Sequence, residues 1–143
     1  MTSLDAIMIR NNLADFINKK YTLYSSVNFE AVMDELKVRP ILHGVGKLSK
    51  PSIKLSSVNG LYTLKTKSFL KNTVVQFKLG EEFIEERYDN SKCSSVITME
   101  GNIMTHVMKG EPECKIVRIF SSTQMIAVIT VNGVVAKRTY KVD

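Results

Sequence analysis

An arginine and a tyrosine lie on the apolar face of the last predicted strand. Successive side chains of a strand point to opposite faces, so Arg138 and Tyr140 share a face with Ala136. Lys137 and Lys141 occupy the opposite face, which has the composition of a solvated surface. The face that contains Arg138 is therefore predicted to point into the protein.

A second arginine shows the same pattern. Arg118 shares strand parity with Ile116 and Phe120. A buried guanidinium without a partner is costly, and neither strand offers an obvious inward aspartate or glutamate. A bound anion, with a hydrogen bond from Tyr140, would compensate both charges. Two alternatives stay open at this point: a β-bulge that turns one arginine outward, or internal carboxylates that pair with the arginines.

Catalytic and metal-binding patterns are weak in this sequence. Neither histidine, His43 or His106, belongs to an HExxH motif, a GxSxG motif or a cysteine cluster. The two cysteines, Cys93 and Cys114, do not form a CxxC pair. A run of four carboxylates fits a solvated strand edge better than acid/base catalysis; its members are Glu81, Glu82, Glu85 and Glu86. We expect no enzymatic activity, no metal site and no cofactor.

Composition restricts the partners and the compartment. The chain has 143 residues, 44% hydrophobic and 24% charged, which is typical of one globular domain without a membrane-spanning segment. Its net charge of +6 favours anionic partners. The basic residues are scattered singly and do not alternate with aromatic residues, so we expect no nucleic acid. The chain has only two cysteines, and its first residues lack the features of a secretory signal peptide. Both observations predict a cytoplasmic protein.

The N-terminal half provides one strand and two helices in this interpretation. Residues 1–15 differ from the rest and are expected to be a helical or disordered extension. Alternation predicts a strand over residues 19–27. Helical spacing predicts a helix over residues 28–36, with Asn28 as its N-cap. Pro40 could open a second helix that runs to about Leu48.

Nearly everything after Pro51 has the pattern of strands. Apolar residues alternate in short segments, and turn signals such as Asn59-Gly60 and Asn132-Gly133 separate them about every ten residues. This spacing predicts an all-β antiparallel meander. An open meander would leave two exposed edges, whereas closing the last strand onto the first gives an up-and-down barrel. About ten strands would leave an interior large enough for a ligand.

Four segments, taken together, resemble the intracellular lipid-binding protein family, the fatty-acid-binding proteins, in a form closest to invertebrate members. They are residues 19–23 with Asn28-Phe29, residues 68–73 with residues 77–83, residues 95–98 before Gly101, and Val117-Arg118 with Arg138-Thr139-Tyr140. The resemblance extends from about Phe16 to Val142. It implies a ten-stranded β-clam over residues 16–143, capped by a helix-turn-helix and holding one fatty acid.

The resemblance also implies which residues bind the ligand. Arg138 and Tyr140 would contact the carboxylate directly, and Arg118 would do so directly or through water. By matching positions, the pocket lining would be Phe29, Met33, Val38, Ile53, Thr66, Leu70, Asp89, Ile116, Ala127 and Ile129.

Two classes of function remain open for such a protein. In the first, a monomer carries a long-chain fatty acid between membranes and enzymes and collides transiently with anionic membranes. In the second, it is a peripheral membrane-binding member of the family. Within the carrier class, a retinoid is the alternative ligand. Four basic residues in or beside the predicted cap could contact a membrane: Lys37, Arg39, Lys47 and Lys50.

Overall fold

The computed structural model of the chain describes residues 13–38, 50–68, 72–87 and 90–143. One helix and ten strands have defined bounds within these ranges. In chain order they are β1 (Lys20–Val27), α1 (Phe29–Glu35), β2 (Ser52–Val58), β3 (Leu61–Lys67), β4 (Thr73–Phe77), β5 (Phe83–Glu86), β6 (Lys92–Glu100), β7 (Ile103–Lys109), β8 (Cys114–Phe120), β9 (Gln124–Val131) and β10 (Val134–Val142).

The strands form a single antiparallel sheet that curls into a nearly closed barrel. Their order is β4-β3-β2-β1-β10-β9-β8-β7-β6-β5, with β10 paired to β1. That pairing confirms the predicted closure of the last strand onto the first. Across the described ranges no ladder joins β4 to β5, which leaves the barrel open along one line.

Asparagine–glycine pairs make the tight turns that set the strand register. Asn59 and Gly60 join β2 to β3 with φ values of 51° and 81°, and Asn132 and Gly133 join β9 to β10 with φ values of 50° and 75°. Two successive positive φ values define the hairpin turn that matches the twist of the strands, and these residue types adopt them at low cost. The predicted turn signals are therefore confirmed at both places.

Helix α1 lies over the barrel and packs against β9 and β10. Its apolar face is buried through Val32 and Met33, as the helical spacing predicted. Asn28 precedes the helix at the predicted N-cap position, but its side chain does not cap it. The backbone of Asn28 adopts the left-handed helical conformation, with φ 64°. Its side-chain Nδ2 donates a hydrogen bond to the Val135 carbonyl at 2.9 Å. Asn28 thus ties the start of α1 to β10.

An aromatic cluster closes the end of the barrel away from α1. The rings of Phe16 and Phe120 stack with centroids 4.8 Å apart, and Tyr21 meets Phe120 edge-on at 5.6 Å. The Tyr21 hydroxyl donates to the Ser121 carbonyl at 2.7 Å. Burial raises the pKa of Tyr21 to about 12. This end is therefore filled by packed, buried rings.

Some predicted features lie outside the described residues. These are residues 1–12 of the extension, the second helix over residues 40–48, and the lining positions Leu70 and Asp89. Residues 13–16 are helical and end at the buried Phe16. Among the described residues, no helix combines the length and the apolar character needed to cross a bilayer.

Candidate functional site

The inward faces of the strands enclose a cavity beneath α1. Arg118, Arg138 and Tyr140 all line it, as their strand parity predicted. Six of the predicted lining residues line it too: Phe29, Ile53, Thr66, Ile116, Ala127 and Ile129. Its other aliphatic walls include Leu64 and Val75. The site is thus a largely apolar chamber that also contains cationic, acidic and hydroxyl groups.

The two arginines lie in one row across the sheet. Ala127 on β9 pairs with Arg118 on β8 and also with Arg138 on β10. Neighbouring strands are about 4.8 Å apart, so the two arginine Cα atoms are separated by roughly 10 Å. The residue between them, Ala127, has a small side chain that lines the cavity. The row therefore places two cationic residues on either side of a small one.

Arg138 is buried without a charged partner. Its residue is 9% exposed, and its guanidinium carbon lies 3.9 Å from the centroid of the Phe29 ring. The centroid of the Tyr140 ring lies 6.0 Å from the same guanidinium carbon. Among the described residues, no carboxylate pairs with Arg138, and its Nε has no hydrogen-bond partner. Ring faces compensate only part of the cost of burying this charge.

Arg118, in contrast, is connected to a carboxylate through a histidine. Arg118 Nη1 lies 3.3 Å from His106 Nδ1, and His106 Nε2 lies 2.5 Å from Glu85 Oε2. Burial lowers the pKa of His106, which keeps the ring neutral near pH 7. A neutral ring suits both contacts, because Nε2–H donates to Glu85 while Nδ1 accepts from Arg118.

Glu85 provides the negative charge of this chain of contacts. Burial alone would raise the pKa of its carboxyl group. Hydrogen bonds from His106 and Ser95 and the charge of Arg118 outweigh burial and lower the pKa. Glu85 is therefore ionised near neutral pH, and it balances Arg118. We call this linked set, Glu85, His106 and Arg118, the compensated triad.

The triad corrects the sequence interpretation of the carboxylate run. Glu85 was predicted to lie on a solvated edge, but its side chain is only 9% exposed and lines the cavity. His106, 3% exposed, was assigned no role in the ligand site. Both residues had a usable signal, because Glu85 shares parity with the apolar Phe83, and His106 shares parity with Met104. An internal carboxylate thus balances one arginine, which was one of the open alternatives.

The remaining predicted positions fall elsewhere. Met33 and Val38 are buried, at 2% and 8% exposure, but they pack in the hydrophobic core and do not line the cavity. Leu70 and Asp89 lie outside the described residues. Within the described ranges, no group of three histidine, cysteine or acidic side chains is placed to hold a metal ion.

Comparison with known proteins identifies the family. The family model described as lipocalin / cytosolic fatty-acid binding protein family matches residues 19–143. The chain belongs to this family. Its members are carrier proteins and not enzymes, which agrees with the weak catalytic patterns of the sequence. The family resemblance and the β-clam fold predicted from the sequence are both confirmed.

Individual relatives cover nearly the whole barrel. A fatty acid-binding protein of Tyrophagus putrescentiae is 40% identical over 126 residues, which is 87% of this chain and 96% of that protein. The fatty acid-binding protein from brain tissue of Drosophila melanogaster superposes with a TM-score of 0.84 at 37% identity, covering 88% of this chain and 98% of that one. A Schistosoma mansoni fatty acid binding protein in complex with arachidonic acid superposes with a TM-score of 0.85 at 30% identity. The superposition covers 92% of this chain and 98% of that one.

Proposed function

We propose that this protein is a monomeric cytoplasmic carrier that holds one long-chain fatty acid inside its barrel. The carboxylate binds Arg138 and Tyr140 directly, with Arg118 beside it across Ala127. The observation that supports this function is the buried guanidinium of Arg138, for which the described residues offer no anion. A carboxylate would supply the missing charge through strong, charge-assisted hydrogen bonds.

The rest of the cavity suits the acyl chain. Its walls are largely aliphatic and aromatic, with Phe29, Ile53 and Ile129 among them. Each CH₂ group that leaves water contributes about 0.8 kcal/mol, so a long chain provides most of the affinity. The arginines then select acids over esters and alcohols of the same length, because only an anion compensates Arg138.

The relatives support a fatty acid as the ligand. Proteins named for fatty-acid binding match 85% or more of this chain at 34–40% identity. One structural neighbour was solved with arachidonic acid. From the same family relationship we infer that this protein moves its ligand between membranes and enzymes.

Calorimetric titration of the delipidated protein tests the proposal. We compare palmitic acid with its methyl ester on the wild type, on Arg138→Ala and on Lys137→Ala. Arg138→Ala should weaken palmitic acid binding by about tenfold or more, because a hydrogen bond to a charged group is lost. It should also reduce the preference for the acid over the ester. Lys137 lies on the outer face of the same strand and is exposed, so it is the matched control.

Two results would contradict the proposal. The first is equal palmitic acid affinity in the wild type and in Arg138→Ala. The second is a wild type that accepts no fatty acid at all. Mass spectrometry of lipid released from protein purified without delipidation separates a fatty acid from a retinoid as the natural ligand.

Membrane contact is a separate part of the proposal. Lys37, just after α1, and Lys50, just before β2, are both exposed, and they could meet an anionic surface. A carrier should cosediment weakly with anionic vesicles at low salt and dissociate at moderate salt. Tight binding that persists at moderate salt and clusters vesicles would instead favour a peripheral membrane protein.

A further inference from the structure

A third arginine lines the cavity and has no part in the site described above. Arg87 follows β5 directly and shares strand parity with Phe83 and Glu85. It is 7% exposed, and its side chain forms part of the cavity wall. Its backbone bonds to Ser91 and Asn90, which fixes the position of the residue.

The guanidinium of Arg87 lies against a glycine. A Cβ atom added at Gly110 would overlap Arg87 Nη1, and it would also lie 3.7 Å from the Cβ of Cys93. Any residue with a side chain at this position would therefore displace the guanidinium. The absence of a side chain at Gly110 is what makes space for Arg87 in the barrel wall.

Nothing described around Arg87 balances its charge. Among the described residues, Nη1 is buried without a hydrogen-bond partner, and no carboxylate forms an ion pair with Arg87. The charge of Arg87, like that of Arg118, acts on the thiol of Cys114. Burial raises the pKa of that thiol to about 11, so it remains neutral. Glu85 is engaged by His106 in the compensated triad.

Arg87 is well separated from the proposed carboxylate site. The Arg87 guanidinium lies against Gly110, just after β7, whereas Arg118 pairs with Met104, which is six residues away from Gly110 and about 20 Å along the strand direction. Met108, two residues before Gly110, pairs with Cys114. Cys114 is at the α1 end of the barrel, since it pairs with Val131 next to the turn where Asn132 donates to Glu35 of α1. Arg87 therefore contacts the cavity at some distance from Arg118 and Arg138.

We propose that Arg87 is a second oxygen-recognition site, which selects fatty acids that carry a hydroxyl or a second carboxylate far from the first. The inference rests on the proposed function, because it takes the first carboxylate to be bound at Arg138. An oxygen at the far end of the chain would accept hydrogen bonds from the Arg87 guanidinium. Such a group would otherwise lose its water on entering the apolar cavity without compensation.

The test compares three ligands on the delipidated full chain by calorimetric titration. They are palmitic acid, its ω-hydroxy derivative and its ω-dicarboxylic derivative. The readout is the affinity of each oxygenated acid divided by the affinity of palmitic acid. This ratio should be about tenfold or more higher in the wild type than in Arg87→Met. Lys115→Met, on the outer face of β8, should retain the wild-type ratio.

Gly110→Ala provides an independent variant if Arg87→Met does not fold. It retains the charge of Arg87 but displaces the guanidinium, so the ratio should fall here as well. If only the dicarboxylic acid has a higher affinity ratio in the wild type than in the variants, the site recognises anions. If both oxygenated acids have a higher ratio, the site recognises hydroxyl groups as well. Equal ratios in the wild type and both variants would overturn the inference. A wild type that fails to bind palmitic acid would instead reject the proposed function.

Discussion

Arg118 and Arg138 occupy equivalent places in the barrel but differ in their electrostatic environment. They lie on either side of Ala127, face the same cavity and are about equally buried. Arg118 is balanced within the protein by the compensated triad, whereas the described residues provide Arg138 only with aromatic rings. The comparison shows that the fold balances one arginine within its own structure, and it supports the proposal that the other binds the ligand carboxylate.

The largest difference between the two arginines should appear in stability. Arg118→Leu leaves the buried Glu85 anion without its cation, so it should destabilise the ligand-free protein by about 3 kcal/mol. Arg138→Leu removes a cation that has no anion, so it should stay within about 1 kcal/mol of the wild type. Urea unfolding of the delipidated proteins measures both effects. If both variants lose the same free energy of unfolding, Arg138 has a structural partner of its own.

A change in the triad should affect binding in the opposite direction to a change at Arg138. Glu85→Gln retains an acceptor for His106 but removes the negative charge that balances Arg118, so the positive charge of Arg118 attracts the ligand more strongly. Palmitic acid should then bind roughly threefold to tenfold more tightly. The methyl ester, titrated in parallel, should bind as it does to the wild type. Unchanged or weaker acid binding would show that Glu85 does not shield Arg118.

The smallest predicted effect is a pH dependence that comes from the triad. The folded pKa of His106 lies below its ordinary value of 6.5, so below that pH the unfolded state binds more protons and stability falls. The folded pKa of Glu85 lies below 4.5, so its stabilising contribution is present above that value and is lost as the pH falls through the folded pKa. Lowering the pH therefore reduces the free energy of unfolding both below pH 6.5, through His106, and below pH 4.5, through Glu85.

Urea unfolding at about pH 7.5 and about pH 5.5 isolates the histidine contribution. The wild type should be less stable at the lower pH, and His106→Gln should reduce that difference. Arg138→Leu should leave the difference unchanged, because Arg138 is not part of the triad. A difference that His106→Gln leaves intact would place the titrating group elsewhere in the protein.

Much of the fold was predictable because its signals are local. Alternation in residues 134–142 placed Arg138 and Tyr140 inside, and the structure finds both buried. Asparagine–glycine pairs marked the hairpins between β2 and β3 and between β9 and β10, where both residues have positive φ. The closure of β10 onto β1 followed from the need to remove exposed edges. These features depend on residues that are close in the chain or on a general property of sheets.

The balance of charge inside the barrel was less predictable. Glu85 lies in a four-residue strand, where parity with the single apolar Phe83 is a weak signal beside three acidic neighbours. Its partner His106 is 21 residues away and becomes a neighbour only through the pairing of β5, β6 and β7. The space for Arg87 depends on Gly110, which is equally remote in sequence. Such contacts arise from register, which parity alone does not determine.

The central claim is that Arg138 receives the carboxylate of a bound fatty acid. Palmitic acid labelled with ¹³C at its carboxyl carbon allows this to be tested by NMR, by following the carboxyl chemical shift of the bound ligand as the pH is lowered. The wild type should hold the carboxylate ionised to a lower pH than Arg138→Leu does, because a nearby cation lowers a carboxyl pKa. Arg87→Met should behave as the wild type. The same titration curve in the wild type and in Arg138→Leu would contradict the claim.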